Sequence, residues 1–272
     1  MNQYIKEGVK DFNLDHIFDC GQCFRWKKEE DGSYSGIAMG KKVNMDFKYD
    51  EGSDCNGTLI INGSDEKDFN EIWSNYLDLD RDYKEIKESL AAKDHVMEKA
   101  IEKGRGIRIL RQDLWETIVS FIISQNNNIP RIKGCIENLA LGFGEDGNLP
   151  RPEKLATLSI DDLAPVRLGY RAKYLIESSK QVLDLGLPTN FDELTNLCGV
   201  GPKVANCIAL FGLGDISSFP IDVWVRRVMN KMYGIDENDK KAMAAFANEQ
   251  FGDLGGIAQQ YLFYYIRQVE GA

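Results

Sequence analysis

The stretch Leu197-Cys-Gly-Val-Gly-Pro-Lys203, followed nineteen residues later by Asp222, decides the fold of this chain. It predicts a helix, a tight glycine turn, the start of a second helix, a loop and the start of a third helix. Gly199 and Gly201 can adopt φ > 0 and leave backbone N–H groups uncovered. A turn of this kind can hold one phosphate group through its backbone amides.

Lys203 lies at the start of the second predicted helix, where the macrodipole opposes a positive charge by roughly 0.3–1 kcal/mol. We expect this field, together with some burial, to lower the pKa of Lys203 and to make its amine a better nucleophile. Asp222 is also an ordinary N-cap residue, and a Gly-x-Gly turn alone is more often structural. Because both features are combined with a lysine at a locally disfavoured position, a functional site is the better interpretation.

The same residues resemble the helix-hairpin-helix, Gly/Pro…Asp superfamily of DNA glycosylases. The resemblance is carried by Gly199-Val-Gly201, by Lys203 and by Asp222 within the run Phe219-Pro-Ile-Asp-Val223. It implies that Lys203 is the catalytic nucleophile of a bifunctional member and that Asp222 assists catalysis. It also implies that Gly199 and Gly201 bind a DNA phosphate.

The bulk properties are those of a globular protein with one large or two modest domains. The chain has 272 residues, a formal net charge of -10, 43% hydrophobic and 28% charged residues. Basic residues concentrate in its second half, so we expect one basic face on an acidic body. No apolar run reaches the roughly 20 residues of a bilayer span, and the start has no signal-peptide h-region. We therefore expect no membrane partner and a cytoplasmic protein, nucleoid-associated if bacterial.

The cysteines and histidines do not form a metal-binding pattern. Cys20-Gly-Gln-Cys23 is a lone C-x-x-C among six cysteines, and the chain has two histidines. Endonuclease-III-like relatives carry a four-cysteine iron–sulfur loop after the catalytic aspartate, whereas no cysteine follows Cys207 here. The sequence therefore predicts no metal and no organic cofactor.

Short, partly alternating apolar runs separated by glycine turns fill the first part of the chain. They predict an antiparallel sheet of about four or five strands, with runs at 24–26, 34–39, 42–49 and 58–62. Residues 65–75 and 81–103 then have helical spacing of apolar residues.

From Gly104 onward, apolar residues at three-and-four spacing predict helices throughout, at 114–124, 129–141, 152–157, 159–164, 173–185, 191–197, 202–211, 223–232, 239–250 and 254–268. The predicted fold class is α+β. An N-terminal antiparallel sheet domain with flanking helices occupies residues 1–104, and an all-helical helix-hairpin-helix glycosylase domain occupies residues 105–272.

Four further segments, spread over nearly the whole chain, resemble the 8-oxoguanine DNA glycosylases of the Ogg type. The first is Ser124-Gln-Asn-Asn-Asn-Ile-Pro-Arg131, whose asparagines are poor helix formers and also fit a simple interhelical turn. The resemblance implies that Asn126 helps to fill the gap left by the extruded base. It implies that Arg131 reads the opposite cytosine, whose unpaired edge accepts hydrogen bonds.

The second segment is Leu168-Gly-Tyr-Arg-Ala-Lys-Tyr174. A helix start with a packed tyrosine is an equally good interpretation of these residues alone. The resemblance implies that Tyr170 is a wedge inserted into the base stack and that Arg171 contacts the opposite base.

The third segment is Cys20-Gly-Gln-Cys-Phe-Arg-Trp26, in which a turn glycine before a strand is the plain interpretation. The resemblance implies that the Gly21 carbonyl accepts a hydrogen bond from N7–H of 8-oxoguanine. That hydrogen distinguishes the lesion from guanine, whose N7 is an acceptor. A residue without a side chain lets the carbonyl approach closely.

The fourth segment is Gly256-Ile-Ala-Gln-Gln-Tyr-Leu-Phe263, where Gln259 and Phe263 are one helical turn apart and share a face. The resemblance implies that Gln259 binds the Watson–Crick edge of the base and that Phe263 stacks on it. Cys207, one turn after Lys203, matches the cysteine on the other side of the base. Core positions are the plain interpretation of Phe263 and Cys207.

One position departs from the family pattern. A histidine that contacts DNA phosphate often stands two residues after the catalytic aspartate, and this chain has Trp224 there. The indole N–H of Trp224 can donate to a phosphate but carries no charge.

The resemblance implies a monomeric bifunctional glycosylase and lyase of base excision repair, acting on double-stranded DNA that contains oxidised guanine, preferably opposite cytosine. Two alternatives stay open within enzymes. Removal of adenine opposite the lesion is weakened by the missing iron–sulfur cysteines, and removal of an alkylated purine is weakened by Lys203. A third alternative, a DNA-binding module without catalysis, would not need both Lys203 and Asp222.

Overall fold

The computed structural model describes residues 2–270, so Met1, Gly271 and Ala272 lie outside the described part of the chain. Its N-terminal part is a five-stranded antiparallel sheet in the order β1-β5-β4-β3-β2. The strands are β1 (Gln3–Val9), β2 (Trp26–Lys28), β3 (Tyr34–Ala38), β4 (Lys41–Tyr49) and β5 (Gly57–Asn62). The predicted antiparallel sheet is confirmed. Strand β1 was not predicted, because only Val9 of its seven residues is buried and no alternation of buried positions marks it.

Helices make up most of the remaining chain. They are α1 (Leu14–Phe18), α2 (Glu66–Asp68), α3 (Ser74–Tyr76), α4 (Tyr83–Ala91), α5 (His95–Lys103), α6 (Leu114–Ser124), α7 (Ile129–Phe143), α8 (Pro152–Ala156), α9 (Arg171–Leu185), α10 (Phe191–Thr195), α11 (Pro202–Ile208), α12 (Val223–Tyr233), α13 (Lys240–Phe251) and α14 (Gly255–Glu270). Two π-helical segments, Phe69–Trp73 and Ala209–Leu213, continue α2 and α11. The sheet followed by a helical region confirms the predicted α+β class.

Two predicted helices are wrong in detail. The helix predicted at 81–103 is interrupted, because Asp94 adopts an extended conformation and its side chain caps α5 by accepting from the Met97 N–H at 2.8 Å. The helix predicted at 159–164 is a turn held by the Asp162 carboxylate, which accepts from the Ser159 N–H at 2.8 Å, and only a 3-10 segment follows it.

The packing forms two hydrophobic clusters. One lies against the sheet and includes Trp26, Met45 and Trp73, and the other fills the helical region around α6. Leu90 and Met97, from α4 and α5, belong to the helical cluster although they precede residue 104. The division of the chain into domains at residue 104 stays a prediction. Between residues 2 and 270, no helix combines the length and the apolar character that a bilayer crossing would need.

Helix α6 positions one end of the site. Every residue from Trp115 to Ile123 except the partly buried Glu116 is buried, and Asp113 caps the helix by accepting from the Glu116 N–H at 2.8 Å. Because this helix is fixed in the core over its whole length, the asparagine run that follows Ser124 leaves it at a defined place on the surface.

Candidate active site

A cavity of about 1440 Å³ lies between the loop at Cys20–Phe24 and the helical region. It brings together most of the predicted site residues: Gly21, Asn126, Tyr170, Gly201, Lys203, Cys207, Asp222, Trp224, Gln259 and Phe263. Gly199, Arg131 and Arg171 are not among its lining residues. Residues that are more than 200 positions apart in the sequence therefore line the same cavity.

The glycine hairpin joins α10 to α11. Gly199 has φ +80°, and an added Cβ would lie 2.4 Å from the Tyr174 ring, so only glycine fits there. Gly201 has φ -88° and is the N-cap of α11, so it does not use the positive φ that glycine allows. Helix α9 holds the turn, since Ser178 donates to the Cys198 carbonyl at 2.8 Å.

Lys203 stands in the first turn of α11, with its Nζ 5.7 Å from the centre of the Phe121 ring. Burial works to lower the pKa of Lys203, but the Cys207 sulfur and the Asp222 carboxylate together outweigh it and leave this pKa above its ordinary value. The predicted lowering is wrong, because the expectation from the helix start included no anionic neighbour. The lysine is therefore an ammonium ion at neutral pH.

Asp222 is fixed by the helix that it caps. Its Oδ1 accepts from the N–H groups of Trp224 at 3.0 Å and Val225 at 2.8 Å, which leaves Oδ2 unused by the cap. Burial raises the pKa of Asp222, opposed by these two hydrogen bonds and by Lys203. The cap therefore fixes the orientation of a carboxylate that is close enough to Lys203 to raise the pKa of the lysine.

Other residues that line the same cavity are suited to a flat heterocycle. Gly21 has φ +77°, and a Cβ there would lie 3.1 Å from the Phe263 ring. Gln259 is buried, and its Oε1 has no hydrogen-bond partner among the described residues. Burial raises the pKa of Cys207, and the neighbouring Lys203 opposes this shift.

The asparagine run at residues 126–128 also lines the cavity. Asn126 is exposed and has φ +46°, a left-handed conformation that asparagine adopts more readily than most residues other than glycine. Asn128 caps α7 by accepting from the Arg131 N–H at 3.0 Å. Arg131 itself is exposed on the first turn of that helix.

Arg171 is buried, and its guanidinium group is used in hydrogen bonds within the protein. Its guanidinium donates to the carbonyls of Gln125, Asn126 and Leu168, and it lies 4.5 Å from the centre of the Tyr170 ring. This arrangement holds the asparagine turn and supports the half-exposed Tyr170. Contact of Arg171 with an opposite base stays a prediction, and it requires these bonds to open.

Positive charge surrounds Trp224 although its indole carries none. The Arg227 guanidinium lies 4.6 Å from the centre of the Trp224 ring and pairs with Glu270 at 3.1 Å. Arg226 and Arg267 line the cavity and were not predicted. Arg267 lies 5.4 Å from the Phe263 ring centre, one helical turn on, so helical spacing could have indicated it.

Burial disfavours ionisation of both thiols of the Cys20–Cys23 pair, of which Cys20 lines the cavity. Cys20 and Cys23 are buried, and burial raises the pKa of Cys20 to about 11 and that of Cys23 further above the ordinary value. Within residues 2–270, no three histidine, cysteine or acidic side chains gather in a way that could hold a metal ion.

Comparison with known protein families agrees with this geometry. Residues 119–252 match the model described as "HhH-GPD superfamily base excision DNA repair protein", so fold and site define a helix-hairpin-helix DNA glycosylase. Residues 4–118 match "8-oxoguanine DNA glycosylase, N-terminal domain". The chain belongs to the 8-oxoguanine DNA glycosylase family, whose members are N-glycosylase/DNA lyases of base excision repair.

Three similar proteins illustrate the relationship. MBOgg1, solved with a low-affinity DNA ligand, is 44% identical with a TM-score of 0.91, and the match covers 99% of this chain and 97% of that one. The apo 8-oxoguanine glycosylase/lyase of Clostridium acetobutylicum is 41% identical with a TM-score of 0.89, covering 97% and 96%. A probable N-glycosylase/DNA lyase of Methanothermobacter thermautotrophicus is 31% identical over 206 residues, which span 62% of this chain and 66% of that relative.

Proposed function

We propose that this chain flips 8-oxoguanine out of duplex DNA, preferably opposite cytosine, and removes it through a Schiff base on Lys203. The observation that carries the proposal is the single cavity that holds Lys203 and Asp222 together with Gly21, Gln259 and Phe263. A 39% identical neighbour, the Clostridium acetobutylicum enzyme, is solved with double-stranded DNA containing cytosine opposite 8-oxoguanine. Flipping a base costs a few kcal/mol, and the cavity supplies contacts that offset it.

The chemistry uses two side chains. Lys203 must first lose its proton, since only the neutral amine can attack C1′ of the lesion nucleotide. As the bond from C1′ to the base breaks, positive charge develops on the sugar, and Asp222 stabilises it. Opening of the sugar ring gives the Schiff base, and β-elimination then cuts the strand 3′ to the lesion.

Recognition of the flipped base uses hydrogen bonds and stacking. The Gly21 carbonyl accepts from N7–H of 8-oxoguanine, a hydrogen that guanine lacks. The unpartnered, buried amide of Gln259 suits the Watson–Crick edge of the base. Phe263 and Cys207 lie on the two faces of the base.

The duplex is held outside the cavity. Tyr170 is the wedge, Asn126 fills the vacated space, and Arg131 and Arg171 contact the opposite cytosine. Hydrogen bonds from the hairpin (Gly199 and Gly201) and from the Trp224 indole hold DNA phosphates. We propose that the protein acts as a monomer on double-stranded DNA.

The experiment is borohydride trapping on labelled duplexes with 8-oxoguanine opposite each of the four bases. The expected result is a covalent adduct that is strongest opposite cytosine and lost in Lys203→Gln, while that variant still binds the lesion duplex. Lys99→Gln, on an exposed lysine of α5, is the matched control and should trap like the wild type. An adduct or strand cutting that survives Lys203→Gln would exclude Lys203 as the nucleophile.

A further inference from the structure

The loop that carries Gly21 is tied down on both sides by glutamine side chains from other parts of the chain. Gln260 of α14 is buried and donates through Nε2 to the Cys20 carbonyl at 2.8 Å. Gln112, which precedes α6, donates through Nε2 to the Gln22 carbonyl at 2.6 Å. No described residue donates to the Gly21 carbonyl between them. The two flanking carbonyls are thus occupied, and the one proposed to read the lesion is free.

Gln22 fixes the same loop from within. Its side chain is fully buried, and Nε2 donates to the carbonyls of Ile17 and Arg108, both at 2.9 Å. Its Oε1 accepts from the Leu110 N–H at 2.9 Å. Both donor hydrogens and the acceptor of this amide therefore have partners, so the peptide following Gly21 has little freedom to rotate.

The frame also connects the loop to the catalytic half of the molecule. The Gln112 N–H donates to the Phe211 carbonyl at 2.8 Å, in the π-helical segment that continues α11. Gln260 directly follows Gln259 in α14. This helix therefore supplies both the residue proposed to bind the Watson–Crick edge of the base and the residue that holds the loop proposed to bind N7–H.

We infer that Gln260 and Gln112 are positioning residues that orient the Gly21 carbonyl for recognition of the N7–H of 8-oxoguanine. The inference rests on the proposed function. The difference between lesion and guanine at N7 is a donor in place of an acceptor, so discrimination depends on the direction of one carbonyl. The hydrogen bonds from Gln260 and Gln112 hold the neighbouring carbonyls, so the Gly21 carbonyl is oriented before DNA binds. Because the loop is already ordered, DNA binding does not have to supply the free energy of ordering it.

The test compares Gln260→Met and Gln112→Met with the wild type in two reactions. One is kcat/KM for excision of 8-oxoguanine opposite cytosine, and the other is strand cutting at a preformed abasic site, which has no base to read. Loss of one positioning hydrogen bond should reduce excision roughly five- to tenfold, with abasic-site cutting within twofold. In a Lys203→Gln background, the affinity ratio of 8-oxoguanine duplex over guanine duplex should fall by the same factor.

Gln250→Met is the control, because the Gln250 amide also donates to a backbone carbonyl, that of Lys93 at 3.4 Å, and to Asp94 at 3.0 Å, but makes no hydrogen bond to the loop that carries Gly21. It should change neither reaction. A parallel fall of both reactions in Gln260→Met and Gln112→Met, or unchanged excision, would overturn the inference. If Gln260→Met does not fold, Gln112→Met decides the question alone. If the wild type itself does not favour 8-oxoguanine over guanine, the proposed function fails first and the inference with it.

Discussion

Asp222 is both the N-cap of α12 and an anion near Lys203, and two substitutions separate these two properties. As the N-cap of α12 it accepts two backbone hydrogen bonds through Oδ1, at 3.0 and 2.8 Å. As an anion it faces Lys203 and raises the pKa of that lysine. Asp222→Asn keeps an acceptor for the cap and removes the charge, whereas Asp222→Ala removes both.

The magnitudes follow from these contacts. Loss of an N-cap side chain costs about 1 kcal/mol, which lowers the Tm of a chain this size by roughly 2–4 °C. Asparagine caps about as well as aspartate, so Asp222→Asn should melt near the wild type. Both variants should lose roughly 10²–10³-fold in the excision rate, the usual effect of removing one preorganised group at a developing charge. In Asp222→Asn the acidic limb of the pH–rate profile should also move to lower pH, because the anion that raises the pKa of Lys203 is gone.

The assays are single-turnover excision between pH 6 and 9 and thermal melting. Asp82→Ala is the matched control, because Asp82 caps α4 through two similar hydrogen bonds at 2.9 and 3.1 Å and lies outside the cavity lining. It should lose stability and keep its rate. An Asp222→Asn variant that excises within twofold of the wild type, or that melts as low as Asp222→Ala, would refute the reasoning.

Three further predictions concern pH and the hairpin. Because the pKa of Lys203 is raised, the wild-type single-turnover rate should climb roughly tenfold per pH unit below that pKa, and a flat profile would contradict this. Burial raises the pKa of Glu116 from 4.5 to about 7, so the folded protein binds an extra proton in that window. The free energy of unfolding should therefore fall by at most about 3 kcal/mol as pH rises through the window. Urea melts at pH 5 and pH 8 measure this fall, which should be smaller in Glu116→Gln than in the wild type. An equal fall in the two proteins would exclude Glu116 as the cause. Gly199→Ala should lose roughly 1–2 kcal/mol from the left-handed backbone and more from the Tyr174 contact, with weaker DNA binding. Gly214 has φ +75° and no neighbour near the position of an added Cβ, so Gly214→Ala should lose stability from the backbone conformation alone and keep its DNA binding. Equal losses of stability and of DNA binding in the two variants would count against a special role for the hairpin.

The predictable parts of this chain are those written in local patterns. The bounds of α6 were predicted without error, because its apolar run is uniform and an aspartate precedes it. The strands from β3 to β5 followed from alternating runs between glycine turns, whereas β2 begins at Trp26, where the run predicted at 24–26 ends. Strand β1 has no such alternation, since it lies at the sheet edge with most side chains exposed.

The parts that could not be predicted depend on neighbours distant in sequence. The direction of the Lys203 pKa is set by Cys207 and by Asp222, and the helix start alone indicated the opposite sign. The frame around Gly21 joins Gln260 to Cys20 across 240 positions of the chain. A glutamine in a helix has no pattern that marks it as an anchor, so only the tertiary structure could assign it.

The raised pKa of Lys203 opposes its proposed role as nucleophile, because an ammonium ion cannot attack C1′. The difficulty resolves when the position of the charge is considered. Asp222 favours positive charge at one place in a buried cavity, whether a proton on Lys203 or the sugar of the lesion nucleotide carries it. While the cavity is empty, the lysine holds that charge. In the proposed reaction the proton leaves Lys203, and the same carboxylate then stabilises the charge that develops at C1′. On this proposal, the less favourable free amine is the consequence of a site that binds a cationic transition state.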